Sequence, residues 1–192
     1  MPPPLRAAAA HGLTYRPFEA ADFKFIEALY LSTRAEEVAL AGWPEAMRTE
    51  FLVQQHRAQH HHYNTYYSAA ERLIVVRGGE PVGRLYLDQW ADQFRIVDVS
   101  LVPSSRGAGL GSAILRDVMD WASDLGKGVS IHVETFNPAR RLYLRLGFAV
   151  AGDKGIYELM EWGMAVAPAA TEPAGPGSIG TGEATRDDAR RA

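Results

Sequence analysis

The segment Val99-Ser-Leu-Val-Pro-Ser-Ser-Arg-Gly-Ala-Gly-Leu-Gly-Ser112 predicts a strand, a glycine-rich turn and the start of a helix. Pro103 ends the strand, because proline has no N–H group to offer the ladder. Gly126 suits the position just after a helix. Between them, apolar residues recur at helical spacing, namely Leu110, Ile114, Val118, Trp121 and Leu125. A turn of this kind directs backbone N–H groups and the positive end of a helix dipole at one point, which favours a phosphate group.

The spacing of the glycines separates three kinds of phosphate-binding loop. A dinucleotide-binding loop would require glycine at position 114, which is Ile114. A Walker loop would require lysine after Gly111, where the chain has Ser112. The pattern that remains is Arg106-x-x-Gly109-x-Gly111. An ordinary glycine-rich connection between a strand and a helix is the alternative interpretation of this short pattern.

A second motif lies about 25 residues further on, in Asn137-Pro-Ala-Arg-Arg-Leu-Tyr-Leu-Arg-Leu-Gly-Phe148. It predicts a short helix with Asn137 as its N-cap, proline at the first helical position and Gly147 after its end. The helix carries Tyr143. The segment Val129–Phe136 predicts a strand before this helix, and a new strand is predicted to begin at Phe148.

Together the two motifs resemble the acyl-CoA site of the GCN5-related N-acetyltransferase (GNAT) superfamily, and the resemblance covers essentially residues 13–162. It implies an α/β (α+β) fold with a mixed, mostly antiparallel sheet of about seven strands flanked by about four helices. It also implies direct transfer of an acetyl group from acetyl-CoA to a primary amine in a ternary complex. The acceptor would be a small molecule, an amino acid or an amine of a peptide or protein. A non-catalytic sensor of acyl-CoA is the alternative function.

The resemblance implies which residues contact CoA. Backbone N–H groups of residues 107–112 would donate to the pyrophosphate, and Asn137 would bind the pantetheine arm. Tyr143 would protonate the departing thiolate. The alternative is that Tyr143 is a packed aromatic residue and Asn137 only a helix cap. The expected CoA-binding residues are Leu101, Val102, Arg106, Gly107, Ala108, Gly109, Leu110, Gly111, Ser112, Asn137, Arg140 and Tyr143.

Two carboxylates are candidates for the base that removes a proton from the acceptor amine. Asp98 comes first, because a carboxylate inside an apolar strand requires a reason. Strict alternation places it on the same strand face as Ser100 and Val102. Glu134 comes second, since it ends the next strand close to Asn137. The alternative for Asp98 is a buried structural acceptor of backbone or arginine donors.

The acceptor pocket is expected between the first two helices and the last strands, as the resemblance implies. Its candidate residues are Arg34, Trp43, Gln55, Gln59 and Tyr63. His56 and His60 have the i, i+4 spacing of helical metal ligands, but no third ligand is evident, so we expect no metal.

Composition limits the remaining possibilities. The 192 residues carry a formal net charge of −3, which argues against a nucleic-acid binder. No apolar run is long enough to predict a membrane span. The chain has no cysteine and therefore no disulfide and no thiol nucleophile. We expect a cytoplasmic monomer or homodimer, with a disordered leader over residues 1–12, a folded domain over 13–164 and a disordered Ala/Pro/Gly-rich tail over 165–192.

Overall fold

The computed structural model describes residues 2–163, so the predicted tail over 165–192 lies outside the described residues. The strands are β1 (Leu13–Pro17), β2 (Glu71–Arg77), β3 (Glu80–Gln89), β4 (Gln93–Leu101), β5 (Gly128–Glu134), β6 (Ala149–Lys154) and β7 (Tyr157–Trp162). The helices are α1 (Ala7–Ala10), α2 (Phe23–Ala39), α3 (Glu45–Tyr66), α4 (Leu110–Asp124) and α5 (Arg140–Arg145), with single 3-10 turns at Ala20–Asp22 and Pro103–Ser105.

All seven strands form one sheet in the order β1-β2-β3-β4-β5-β7-β6. Neighbouring strands are antiparallel except for β4 and β5, which are parallel because α4 carries the chain across between them. This arrangement confirms the predicted α/β (α+β) class, the mixed and mostly antiparallel sheet, and the four helices α2 to α5 that flank it.

The parallel pair is joined along only part of its length. The ladder runs from Gln93 opposite Gly128 to Ile96 opposite Ile131 and stops there. Both strands continue, β4 to Leu101 and β5 through its ladder with β7. The C-terminal halves of β4 and β5 are therefore not paired with each other. The resulting gap in the sheet lies at the edge where α4 begins.

A β-bulge lies where the parallel ladder stops. Tyr86 of β3 pairs with Asp98, and the next residue pairs with Ile96, so Val97 is the extra residue. Before the bulge, Phe94 and Ile96 face the core beneath α4; after it, Val99 and Leu101 contact that core. Asp98 and Ser100 are thereby turned to the opposite face, which strict alternation along the strand does not predict.

The main core lies between the sheet and α4. Leu110, Ile114 and Val118 of α4 are at most 1% exposed, as their helical spacing predicts. Helices α2 and α3 cover the opposite face, where Ile26, Leu29 and Tyr30 of α2 are buried. Only Leu52 and His56 are buried in α3. No helix within residues 2–163 has the length and apolarity needed to cross a membrane.

Residues 1–12 were expected to be a disordered leader, but part of this segment forms helix α1. Asp117, fully buried on α4, accepts hydrogen bonds from the backbone N–H groups of Arg6 (3.2 Å), Ala7 (2.6 Å) and Ala8 (3.2 Å). These bonds satisfy the free donors at the start of the helix. The composition of the segment does not predict this helix. The carboxylate that caps it belongs to Asp117, which lies about 110 residues further along the chain.

Gly83 of β3 lets β4 approach closely, and this contact can be tested. A Cβ at Gly83 would overlap the Ser100 carbonyl oxygen and lie 2.7 Å from Leu101 Cδ2. We expect Gly83→Ala to lower the free energy of unfolding by about 1–3 kcal/mol in urea titrations, because β4 must shift. Gly152→Ala is the matched control, since its Cβ would make an ordinary 3.7 Å contact. Equal stability of the two variants would contradict the account.

Candidate functional site

The glycine-rich turn has the backbone geometry of an anion-binding loop. Gly107 and Gly109 have φ values of +77° and +81°, a region that suits glycine. The amide of Ala113 is the first in α4 to find an acceptor in its own helix, on the Gly109 carbonyl. N–H groups at the start of an α-helix have no intrahelical acceptor, so those of the preceding residues are available to a ligand. Alternating left-handed glycines form the backbone concavities that hold phosphates.

The space beside the loop is open. Apart from Gly107 and its two neighbours in the chain, no heavy atom of the described residues lies within 4 Å of where a Cβ on Gly107 would be. The Nε atom of Arg106 is engaged elsewhere, because it donates a hydrogen bond to the Leu101 carbonyl oxygen at 2.9 Å. Arg106 thus fastens the loop to the end of β4. The loop fits a diphosphate, with its donors supplied by the backbone.

The second motif packs directly against the first. A Cβ on Gly111 would lie 3.4 Å from Leu142 Cδ2 and 4.0 Å from Leu101 Cδ1, so the start of α4, helix α5 and the end of β4 converge. Asn137 Oδ1 accepts the Ala139 N–H at 2.9 Å. Asn137 therefore caps the turn that leads into α5, and the N-cap of the helix itself is Ala139, two residues later than the sequence predicts.

Tyr143 is buried at this junction. Its side chain is 4% exposed and packs edge-on against Phe148, with ring centroids 5.7 Å apart. Burial, reinforced by the negative charge of Asp98, raises the pKa of the Tyr143 phenol well above its usual range. Its hydroxyl makes no hydrogen bond to any described residue. A phenol in this state stays protonated at neutral pH and has a proton to donate.

Arg140, another expected CoA contact, is occupied in the structure. Its Nε donates to Glu158 Oε2 at 2.6 Å and its Nη2 to Oε1 at 3.2 Å. This bidentate pair ties α5 to β7. The sequence signal for Arg140 came from its position in the motif, which does not reveal a partner on a later strand.

Asp98 is enclosed by donors. Buried Arg84 on β3 donates to it through Nε at 3.1 Å and Nη2 at 2.7 Å. The hydroxyls of Ser100 and Tyr63 donate at 2.8 and 3.2 Å. Arg84 also donates to Gln59 Oε1 at 3.0 Å. Four hydrogen bonds to one carboxylate correspond to the structural interpretation of Asp98, with an arginine partner.

Glu134 is paired with an arginine as well, at the end of β5. Arg34 of α2 donates to its two oxygens at 2.7 and 2.9 Å. Tyr157 on β7 donates to it at 3.3 Å. Arg34 also binds Glu37 at 2.9 Å. One guanidinium is therefore shared between two carboxylates, and burial leaves Glu134 only 7% exposed.

A cavity of about 450 Å³ opens beside the Arg34–Glu134 pair, between α2, α3 and the last strands. Its wall contains three of the five residues expected in the acceptor pocket, together with both carboxylates that Arg34 binds. The polar and aromatic lining comprises Tyr30, Arg34, Glu37, Phe51, Gln55, Gln59, His62, Glu134 and Tyr157.

The other two residues expected in the pocket lie outside this wall. Trp43 is 40% exposed and packs edge-on against Phe51, with centroids 5.4 Å apart. Tyr63 is half-buried and bonds to Asp98 through its hydroxyl. Both lie on or before α3, whose polar sequence does not indicate which side faces the sheet.

Arg84 and Tyr157 were not anticipated from the sequence. Arg84 carried a usable signal, because it is a charged residue in an apolar strand adjacent to the strand of Asp98. Tyr157 carried none. Its position arises from where β7 meets Arg34, which no spacing in the sequence encodes.

Comparison with known proteins assigns the family. A model of the acetyltransferase (GNAT) family matches residues 26–148, which is more than half of the chain. The chain belongs to the GNAT acetyltransferase family. The match contains the glycine-rich loop, Asp98, Glu134 and Tyr143. The resemblance inferred from the two motifs is thereby confirmed.

Among curated proteins, the GNAT chain is similar to a streptothricin acetyltransferase from Streptomyces lavendulae. The two are 35% identical over 72 residues, which is 36% of this chain and 38% of that protein. The matched region thus spans less than two fifths of the relative.

Solved structures share the fold. One is the PaiA N-acetyltransferase from Thermoplasma acidophilum in complex with coenzyme A, which is 14% identical with a TM-score of 0.57 and covers 78% of this chain and 98% of its own. Another is a GNAT acetyltransferase from Elizabethkingia anophelis with acetyl-CoA bound, which is 15% identical with a TM-score of 0.53 and covers 79% and 97%. The fold predicted for this chain is therefore that of GNAT proteins.

His56 is a fully buried histidine behind the cavity. The rings of Phe23 and Tyr30 lie 5.4 Å from its own. Neither ring nitrogen has a hydrogen-bond partner among the described residues. Burial, with the positive charge of Arg84 and the neighbouring His60, lowers the pKa of His56 to about 4. The neutral form is the one that this site accommodates.

The pH dependence of stability follows from that shift. In the unfolded chain His56 titrates near 6.5, so between pH 6.5 and 4 the unfolded state binds more protons and stability falls with falling pH. We expect the wild type to lose about 2 kcal/mol more of its free energy of unfolding than His56→Leu between pH 7 and pH 5. Urea titrations at both pH values measure this difference. Equal losses in the two proteins would contradict the shift.

Proposed function

We propose that this GNAT protein is an acetyl-CoA-dependent N-acetyltransferase that transfers the acetyl group directly to a primary amine in a ternary complex. The supporting observation is the convergence of three elements. The start of α4, the end of β4 and helix α5, which carries the buried Tyr143, meet where β4 and β5 separate. Bound acetyl-CoA supplies an activated acyl group whose leaving group is a thiolate.

The loop and the divided sheet account for the binding of the donor. Backbone N–H groups of residues 107–112 hold the diphosphate, and Ser112 adds a hydroxyl donor. The backbone of Leu101 and Val102 holds the pantetheine arm beside the gap in the sheet, with Asn137 on its other side. Arg106 and Arg140 stabilise these elements from within, through Leu101 and Glu158 respectively.

Tyr143 separates catalysis from mere binding. A sensor of acyl-CoA needs no acid, whereas the departing sulfur does. The raised pKa of Tyr143 keeps the phenol protonated at neutral pH, so its hydroxyl can donate to the sulfur as negative charge develops there; the same buried surroundings make the departing thiolate more basic. The buried site also excludes water that would otherwise compete for that proton.

Of the two carboxylates, we assign the contact with the amine to Glu134. It lines the cavity, whereas Asp98 is enclosed by Arg84, Tyr63 and Ser100. Arg34 pairs with the Glu134 carboxylate. The role of Glu134 is therefore to hold and orient the incoming ammonium group. The proton then leaves through the open cavity to water.

The cavity favours a cationic acceptor. Its charged lining consists of Arg34, Glu37 and Glu134, which sum to a net charge of −1. Aromatic rings of Tyr30 and Tyr157 in the same wall can contact a second ammonium group. An acceptor with two amines is therefore preferred over an amine that also carries a carboxylate.

The proposed activity has a direct test. Acetyl-CoA is incubated with the protein and with diamines, monoamines, amino acids and streptothricin, which is included because a relative is named for it. Released CoA is measured with a thiol reagent, and the chain contributes no background because it has no cysteine. We expect release to depend on the amine and to be fastest with dications. Binding of acetyl-CoA without release for any amine would favour the sensor.

Two other properties are proposed from the sequence. We infer a cytoplasmic location because a chain without cysteine needs no oxidising compartment. We also infer that nucleic acid is not a partner, since the formal net charge is −3.

Removal of the Tyr143 hydroxyl should affect turnover alone. We expect Tyr143→Phe to lower kcat about 100-fold, because the leaving sulfur loses its acid. The Kd for acetyl-CoA, measured by calorimetry, should change less than about twofold, since the contacts that bind acetyl-CoA in its ground state are retained. Tyr15→Phe is the matched control, because it also removes a buried hydroxyl without a partner, on β1. Unchanged turnover of Tyr143→Phe would remove the acid role.

The two carboxylates should respond differently to neutralisation. Glu134→Gln should lower kcat/KM at least about tenfold with a dicationic acceptor, because the ammonium group loses a charged partner. Asp98→Asn should instead lower the free energy of unfolding by about 3–5 kcal/mol, since it leaves buried Arg84 without its counter-charge. Thermal melts and initial rates on both variants measure this contrast. A stable, inactive Asp98→Asn would reverse the assignment.

A further inference from the structure

Helix α1 lies along α4 in the opposite direction. Arg6, just before α1, pairs with Asp124 near the end of α4, and Asp117 in the middle of α4 caps the first residues of α1. Ala8 is fully buried between them. The chain therefore reaches the start of α4 when α1 ends, at His11.

His11 lies beside the phosphate loop as a result. A Cβ built on Gly109 would be 3.5 Å from His11 Cε1 and 4.0 Å from His11 Nε2. The imidazole is half-buried. Neither of its ring nitrogens has a hydrogen bond to any described residue. A donor without a partner is thus held next to the glycine that opens α4.

The loop has few side-chain donors of its own. Arg106, its single basic residue, uses Nε for the Leu101 carbonyl. The remaining donors of residues 107–112 are backbone N–H groups and the Ser112 hydroxyl. Because the Arg106 Nε is engaged with Leu101, the imidazole of His11 beside Gly109 adds a further side-chain N–H donor to the Arg106 Nη groups and the Ser112 hydroxyl.

We propose that His11 is a phosphate ligand of the acyl-CoA site, donating a ring N–H to a phosphate oxygen of the bound donor. This inference rests on the proposed function. The N-terminal segment is then part of the binding site, and Asp117 is the residue that positions it. The phosphate concerned is either in the diphosphate or at the 3′ position of the ribose, and truncated ligands separate the two.

The test uses full-length protein without an N-terminal tag and binding measured by calorimetry. We expect His11→Leu to weaken CoA binding about tenfold, the size of one hydrogen bond to a charged group. His11→Gln keeps an N–H donor and should stay within about threefold of the wild type. His61→Leu, which changes an exposed histidine on α3, is the matched control and should bind CoA normally.

Truncated ligands identify the phosphate. If the loss persists with dephospho-CoA, His11 binds the diphosphate; if it disappears, His11 binds the 3′-phosphate. An equal loss with pantetheine, which has no phosphate, would overturn the proposal, and so would unchanged CoA binding by His11→Leu. A wild type that binds no CoA would instead overturn the proposed function, and this proposal with it.

A second variant tests how His11 is positioned. Asp117→Asn weakens the cap on α1 without touching the loop. We expect it to lower CoA affinity toward that of His11→Leu, and the double variant to bind no more weakly than His11→Leu alone. Additive losses would show that α1 does not act through His11. Thermal melts confirm that each variant is folded at the temperature of the titration.

Discussion

The ion pair between Arg84 and Asp98 fixes the shape of the site, because it holds β4, the strand whose C-terminal half separates from β5. Its bidentate bonds join β3 to β4 immediately after the bulge at Val97. Loss of either partner would leave a buried charge, at a cost of about 3–5 kcal/mol. With the pair intact, β4 keeps its bulge, its ladder with β5 ends at Ile96, and its last residues reach the phosphate loop. The edge of the sheet where β4 meets the phosphate loop is thus held in place by an interaction on the opposite face of the sheet.

A second arginine–carboxylate pair has a different environment and therefore a different consequence. Arg34 and Glu134 lie in the wall of a cavity, and Arg34 is shared with Glu37. The excess carboxylate gives the cavity its negative charge. The Arg84–Asp98 pair is closed off by hydroxyls from Ser100 and Tyr63. The same residue types thus provide rigidity at one place and, in the proposed function, recognition of the amine at the other.

Local patterns predicted most of the fold but not the long-range contacts. Strand β5 spans Gly128–Glu134, close to the predicted Val129–Phe136, since apolar and polar residues alternate along it. The glycine-rich turn and the helix that carries Tyr143 were predicted from the spacing of glycines and apolar residues and from the capping residues. The bulge at Val97 was not, because alternation assumes a regular strand. Order in α1 was missed for a similar reason: its cap, Asp117, lies on a distant helix. Trp43 and Tyr63 lie outside the cavity wall, and the polar sequence of α3 carries no periodic signal for the side of this helix that faces the sheet.

The account depends most on whether the loop binds CoA. The melting temperature should be measured with acetyl-CoA and, separately, with ATP and NAD as phosphate-bearing controls. At about 100 times the dissociation constant, a ligand stabilises the folded state by about 2.7 kcal/mol, which corresponds to a shift of several degrees in a chain of this size. The account predicts this shift with acetyl-CoA and none with ATP or NAD. No shift with acetyl-CoA, or equal shifts with all three, would contradict it.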